Sequence, residues 1–288
     1  MPQIVNLQQG SAEWLAHRLR YRNASETAAV MGASPWMTPF QLWELRTGRR
    51  EQPVTSAMRH GLEHEAAARA AYETLTGSVM QPLVLVEGDY SASLDGLTLK
   101  RSRLLEIKCP YRGQSSEIWQ VATRGEVPVH YRWQLQHQLF VSGAEVADLF
   151  VYDADGGQTK LIQVEPDPSA WDELHAAWDD FWKCLEMDTP PPLTDRDTNQ
   201  RGDDAWQIAA DAYRRCKADA ERTTTALNDA KAALLALSSH PVESGAGVTV
   251  TRFWKRGAVD YGQIPELGGV DLESYRKAGR MEVRISEK

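Results

Sequence analysis

Along the first third of the chain, apolar positions recur with a helical period and are interrupted by capping and breaking residues. Residues 11–20 (SAEWLAHRLR) predict a helix with Ser11 as its N-cap and Glu13 in the first turn. A second helical start at Asn23-Ala24-Ser25-Glu26 is closed by Gly32 and the Ser34-Pro35 pair. Residues 39–47 keep the helical spacing and stop at Gly48, and Met58 to Thr76 keep it again, with Gly77 placed as a C-cap. The period then changes. Residues 79–99 and 103–109 are short runs of Val, Leu and Ile broken by Gly and Asp, which predict strands and a hairpin. Helix returns over Tyr131–Val141, strands follow at 146–152 and 161–164, and Asp167-Pro168 opens an amphipathic helix through Trp171, Leu174, Trp178, Phe181 and Leu185.

Helices flanking a compact mixed sheet predict an α/β or α+β core. The proline-rich, polar stretch 189–204 (TPPPLTDRDTNQRGDD) has no apolar period and divides the chain into a core over 1–190, a linker over 191–204 and a C-terminal extension over 205–288. In that extension Ala209, Tyr213, Cys216, Ala220, Thr223, Leu227, Ala230, Leu234 and Leu237 step by four and three, an a/d seam of about four heptads. Its small and polar members suit packing on its own chain as well as a partner helix. Residues 247–254 alternate like a strand, Gly257 fits a turn, and 281–285 (MEVRI) could form a last strand.

Composition narrows the class. The chain has 288 residues, 42% of them hydrophobic and 25% charged, values ordinary for a soluble globular protein. No apolar run approaches a membrane span, the N-terminus lacks a signal-peptide pattern, and the odd, widely spaced Cys109, Cys184 and Cys216 suggest a reducing compartment, so a cytoplasmic protein is expected. A net charge of −8 argues against a general nucleic-acid coat. It leaves room for an enzyme acting on DNA, because a metal site adds carboxylates and phosphates need only a local basic groove. Arginines and lysines do gather at 18–22, 46–50 and 100–103.

The candidate chemistry lies in Ser91-Ala92-Ser93-Leu94-Asp95-Gly96 and Leu104-Leu105-Glu106-Ile107-Lys108-Cys109. On a strand, Glu106 and Lys108 share a face while Ile107 points the other way. A hairpin would set Asp95 beside Glu106, and two hard carboxylates there suit Mg²⁺ or Mn²⁺. The Lys108 ammonium would favour hydroxide near the metal and steady charge on a phosphate. A D…E-x-K pattern is short and matches many chains by chance, yet its flanks here are apolar and tightly patterned.

Several blocks in order resemble the lambda-exonuclease-like, or YqaJ-type, phage recombination exonucleases of the PD-(D/E)XK superfamily. They are Trp14-Leu15-Ala16-His17-Arg18, Asn23-Ala24-Ser25-Glu26, Gly61-Leu62-Glu63-His64-Glu65 with Arg69 and Tyr72, the Asp95 and Glu106-Ile107-Lys108 blocks, and Tyr131-Arg132-Trp133-Gln134-Leu135-Gln136. The resemblance implies a restriction-endonuclease-like core and a magnesium-dependent 5′→3′ exonuclease on double-stranded DNA. Such an enzyme would work by in-line attack of metal-activated water and leave 3′ tails for phage-type recombination. It further implies that Asp95, Glu106 and the Ile107 carbonyl hold metal, with two ions per site. Lys108 would activate water, and Glu65 would serve the second ion or orient the water and the lysine. Gln136, with Gln134 less firmly, would hydrogen-bond near the lysine and the scissile phosphate, Gln134 on the DNA-binding side. Arg18 and Ser25 would take the 5′-phosphate. A single-strand-annealing recombinase as partner, a homotrimeric ring, and a phage or prophage origin in a bacterial cytoplasm belong to the same set of expectations. Tyr72 and Trp14 are expected in the core. Lys255 and Arg256 could touch DNA.

Three rival readings remain. His60-Gly61-Leu62-Glu63-His64 fits H-x-x-E-H, a zinc-protease pattern with two histidines on one helix face. A PD-(D/E)XK endonuclease and a non-catalytic DNA-binding protein would share the fold. The protease needs Zn²⁺ and would ignore Lys108→Ala, whereas the nuclease needs Mg²⁺ and Lys108.

Overall fold

The computed structural model describes residues 2–7 and 10–254, with Gly257, Ile264 and Val270 beyond them. Lys255, Arg256 and the strand expected at 281–285 lie outside the described residues. The chain divides into two units, Met1–Gln200 and Arg201–Lys288.

In the first unit, β1 (Gln3–Val5), α1 (Ala12–Arg20), β2 (Arg22–Asn23), a 3₁₀ turn (Ala24–Glu26), α2 (Thr27–Val30), α3 (Pro39–Arg46) and α4 (Ser56–Thr76) precede the central strands. These are β3 (Gln81–Glu87), β4 (Tyr90–Leu97) and β5 (Arg103–Lys108). After them come α5 (Glu117–Thr123), α6 (Val129–Ser142), β6 (Val146–Tyr152), β7 (Thr159–Val164) and α7 (Pro168–Glu186). The helix ends follow the side chains expected to set them. Ser11 accepts from the Trp14 N–H, Asp167 caps α7, and Gly77 adopts a left-handed conformation at the end of α4. Missing from the sequence reading are β1, β2 and α5, the last started by Ser116, whose side chain accepts from the Trp119 N–H.

The sheet runs β1-β3-β4-β5-β6-β7, with β2 joined to β4. The β5–β6 and β2–β4 pairs are parallel and the others antiparallel. Parallel neighbours require a crossover, supplied here by α5 and α6. One core cluster joins α6 and α5 to the sheet through Leu94, Leu97, Leu104, Leu135, Leu139 and Leu149. On the opposite side, Ala68 and Tyr72 of α4 pack on Met80, Leu105, Ile107 and Phe150. A third cluster joins α2, α3 and α7 around Trp43, Leu174 and Trp178. Leu105 and Ile107 therefore serve one core and Leu104 the other, so β5 is covered on both faces.

The stretch expected to be a linker is in part fixed to the first unit. Arg196 Nη1 donates to the Ser34 carbonyl at 2.7 Å, and Thr38 Oγ1 donates to Asp197 Oδ1 at 2.5 Å. In the second unit, α8 (Asp204–Leu237) covers the heptad region with no buried residue, and β8 (Val242–Gly245) pairs with β9 (Val248–Thr251). No helix among the described residues is long and apolar enough to cross a membrane. Cys109, Cys184 and Cys216 are all free thiols.

Candidate active site

The site begins with an irregularity in β4. Leu94 pairs with Leu83, but Leu97 pairs with Gln81, so one residue of β3, Pro82, faces two of β4. Such a bulge bends a strand and re-aims its side chains. The extra residue falls at Asp95-Gly96. Gly96 is required there, because a Cβ would come within 2.7 Å of Met80 Cβ and 3.3 Å of Leu105 Cβ. On the other edge, Gly96 pairs with Leu105 and Leu97 with Leu104, and the next step in that register sets Asp95 opposite Glu106. The ladder ends at that step. In its place, Asp95 Oδ2 accepts from the Ile107 backbone N–H at 2.7 Å. Within a strand, the N–H and C=O of one residue point to the same edge, so the Ile107 carbonyl faces the opening between the parted strands.

Helix α6 closes this opening. Glu106 is buried, at 3% exposure, yet all its partners are donors. Gln134 Nε2 donates to its Oε1 at 2.7 Å and Gln138 Nε2 to its Oε2 at 2.6 Å, while Lys108 Nζ ion-pairs with Oε1. Gln138 also donates to the Ser93 carbonyl at 3.3 Å. The Lys108 ammonium sits 4.9 Å from the Tyr131 ring centre. Residues 131, 134 and 138 follow the i, i+3, i+7 spacing of one helix face.

Gln136 does not belong to this group, which corrects the expectation that it hydrogen-bonds near the lysine. Two residues from Gln134 it lies on another face of α6. It donates to the Glu165 carbonyl and accepts from the Asp167 N–H and Trp171 Nε1, tying α6 to the start of α7. Gln138, which the sequence reading passed over, takes its place.

On the other side, Glu65 ion-pairs with Arg69 one turn along α4, and Arg69 Nε donates to the Asp95 carbonyl at 2.7 Å. Glu65 therefore reaches the site through Arg69, and its charge acts on Asp95 and Cys109. Helix α1 is held to β4 by Trp14 Nε1 on Ser93 Oγ at 3.2 Å and His17 Nε2 against Ser91 Oγ at 2.9 Å. Trp14 is thus half-buried and hydrogen-bonded, while Tyr72 is fully buried as expected. From α1, Arg18 Nη1 donates to Ser25 Oγ at 3.0 Å and Nη2 to Glu26 Oε1 at 2.7 Å. The two residues expected to share a phosphate are in contact, with Glu26 as present counter-charge.

His60 and His64 contact each other with ring planes tilted by 58° and centroids 4.4 Å apart, and Glu63 is exposed. Among the described residues no group of three His, Cys, Asp or Glu side chains is assembled to hold a metal. The zinc reading therefore lacks its third ligand, and any cation at the β4–β5 opening would rely on two carboxylates with backbone oxygen.

Electrostatics favour a cation there. Burial raises the Asp95 carboxyl well above the usual carboxylate range. The Glu106 and Glu65 charges add to the rise, against the opposing pull of Lys108 and the Ile107 N–H. Burial works against the Lys108 ammonium too, but Glu106, Tyr131 and Asp95 outweigh it and keep the lysine charged. Burial pushes the Cys109 thiol up to about 12, so it stays a thiol. One ammonium cannot balance both Asp95 and Glu106. Hard oxygen donors with charge in excess fit Mg²⁺ or Mn²⁺.

This arrangement, a mixed sheet opened between two strands over acidic residues and a lysine, is an exonuclease fold of the nuclease superfamily. The solved structure of an alkaline exonuclease (LHK-Exo) from Laribacter hongkongensis is similar, with 28% identity over 62% of this chain and 94% of that one and a TM-score of 0.53. LHK-Exo in complex with dAMP is similar to the same degree, with 27% identity and a TM-score of 0.53. Residues 13–145 match the family model of the YqaJ-like viral recombinase domain, and the resemblance read in the sequence holds over that segment. A curated relative, the uncharacterized protein YqaJ of Bacillus subtilis, is 25% identical over 199 residues. That match spans 66% of this chain and 61% of the relative's length.

Proposed function

We propose that the protein is a divalent-metal-dependent exonuclease that degrades double-stranded DNA from its 5′ ends. The observation that carries this is the parting of β4 and β5 at Asp95 and Glu106, with Lys108 and two glutamines aimed at the same carboxylate. Asp95, Glu106 and the Ile107 carbonyl would hold Mg²⁺ or Mn²⁺, and Glu65, released from Arg69, would serve a second ion. Bound there, the cation supplies Lewis-acid polarisation of the phosphodiester and of the attacking water.

The chain's own residues do the rest. Lys108, kept protonated by its acidic neighbours, donates toward the water and offsets charge growing on the phosphate. Gln134 and Gln138 fix both Glu106 oxygens so that the carboxylate does not rotate when a cation arrives. Arg18 and Ser25 would receive a terminal phosphate in exchange for the Glu26 contact, and their 3.0 Å hydrogen bond supports this reading of attack from a 5′ end. The dAMP complex of LHK-Exo supports a nucleotide as ligand. The same reading includes 3′ tails as product, a single-strand-annealing recombinase as partner, a ring of three subunits and a cytoplasmic setting in a phage-bearing host.

Linear duplex DNA labelled at either 5′ or 3′ ends, with closed circular DNA alongside, tests the proposal with and without Mg²⁺. The expected result is Mg²⁺-dependent release of 5′ label first, with circles untouched. Cleavage of the circles would make the protein an endonuclease, and intact linear DNA under every condition would refute nuclease activity.

A further inference from the structure

A large aromatic surface stands in solvent near the proposed catalytic lysine. Trp36 is 68% exposed, leaving most of its indole open. It is not isolated. Its ring packs on His130 at 4.8 Å and near Tyr131 at 6.1 Å between centroids, and those two rings contact each other at 4.2 Å. Tyr131 in turn carries Lys108 Nζ at 4.9 Å. The rings form a continuous path from open solvent to the ammonium.

The loop that presents Trp36 is held from a distance in sequence. Ser34 Oγ accepts from the Trp36 and Met37 N–H groups, both at 3.3 Å, which shapes the turn. Arg196 donates to the Ser34 carbonyl at 2.7 Å and the Pro35 carbonyl at 2.8 Å. Thr38, at the far end of the loop, donates to Asp197. A scattered exposed apolar residue needs no explanation, but an exposed indole on a loop clamped at both ends is a fixed surface. Every nucleobase has a π-face that stacks on such a ring without sequence preference. A base inside a duplex already has both faces covered, so the occupant that fits is an unpaired one.

Building on the nuclease reading, we propose that Trp36 is the stacking platform for an unpaired nucleobase of the DNA strand whose phosphodiester reaches Lys108. Arg196 acts as the positioning residue that holds the platform in place.

The test uses duplexes carrying 2-aminopurine in a short unpaired 5′ overhang, bound to the full-length protein in Ca²⁺. Stacking quenches the fluorophore. Wild type should quench it, Trp36→Ala should lose most of the quench, Trp36→Phe should restore part, and Arg196→Ala should weaken it in the same direction. In Mg²⁺, Trp36→Ala should slow digestion of blunt ends about ten-fold, and slow ends with pre-unpaired 5′ nucleotides less. Unchanged quench and an unchanged blunt-to-frayed ratio in Trp36→Ala would overturn the proposal. So would a changed oligomeric state on sedimentation with quench intact, which would make Trp36 a subunit contact. Failure of the nuclease reading shows separately, as wild-type protein that leaves duplex intact in Mg²⁺. Trp36-dependent quench in that protein would still support the stacking site.

Discussion

The two ends of β5 carry the same ingredients and put them to different use. At its start Arg103 meets Asp148 of β6, and at its end Lys108 ion-pairs with Glu106 in the field of Asp95. Asp148 is fully buried and fully answered. Arg103 Nη1 lies 2.7 Å from each of its oxygens, and the Tyr72 hydroxyl donates to Oδ2. One acid faces one base, with a phenol completing the shell, and the group ties α4 to the sheet. At the other end two acids share one ammonium, a third acid stands close, and Asp95 is held above the usual carboxylate range. Burial and residue type are alike in the two clusters. Charge balance separates them, and the unbalanced one is where a cation would be stabilised.

That contrast is sharpest in substitutions. Glu106→Ala should abolish digestion of linear duplex, and Lys108→Ala should lower it by about 10² to 10³. Each should lower the melting temperature less than Asp148→Ala does, because the excess of acid around Asp95 is relieved or Glu106 keeps its two glutamine donors. Asp148→Ala should do the reverse. Removing one partner of a buried ion pair costs about 3 kcal/mol and orphans the Tyr72 hydroxyl, so urea unfolding should shift markedly while the folded fraction keeps its turnover. Equal stability losses at both ends would erase the distinction.

Around the unbalanced end, the glutamines should separate next. Gln134→Ala and Gln138→Ala should each weaken Mn²⁺ binding about 10- to 100-fold, as loss of a ligand's supporting hydrogen bond does. Gln136→Ala should leave Mn²⁺ affinity unchanged, because its amide serves the start of α7. Calorimetric titration with Mn²⁺ reads all three. Gly96→Ala should cost about 1–3 kcal/mol by pushing Met80 or the bulge aside, with loss of activity following from the displaced Asp95.

The smallest effect is on pH. A carboxyl whose folded pKa is raised binds its proton more tightly in the native state, so its contribution to stability is full below the unfolded carboxylate pKa. It is lost as pH rises through the folded value. The metal-free protein should therefore lose a little thermal stability as pH rises above the ordinary carboxylate range, and Asp95→Asn should remove that slope. An unchanged slope in Asp95→Asn would assign it to other groups.

Much of this was legible in the residues themselves, for a physical reason. Asp95 and Glu106 lie on neighbouring strands of one hairpin, so a local pattern fixes their register. Arg18 and Ser25 are seven positions apart and meet through α1 and the turn after it. Gln138 was legible in principle. Once 131–141 is read as helix, the partner of Gln134 on its face is four residues on, at 138, and Gln136 falls elsewhere. The bulge was not legible, because it is defined by which β3 residue faces Leu97. Nor was the parallel β2–β4 pair, which joins Arg22 to Tyr90, or the return of Arg196 to the Ser34 loop. Each depends on contacts between distant segments, which hydrophobic period does not encode.

The most direct measurement of the central claim is thermal unfolding of the wild type and of Glu106→Gln with increasing Mg²⁺. A cation held by Asp95 and Glu106 should raise the wild-type melting temperature with the logarithm of Mg²⁺ concentration once that exceeds Kd and leave Glu106→Gln almost unmoved. Equal shifts in the two proteins would mean that the cation binds elsewhere, and the excess of acid at the end of β5 would need another explanation.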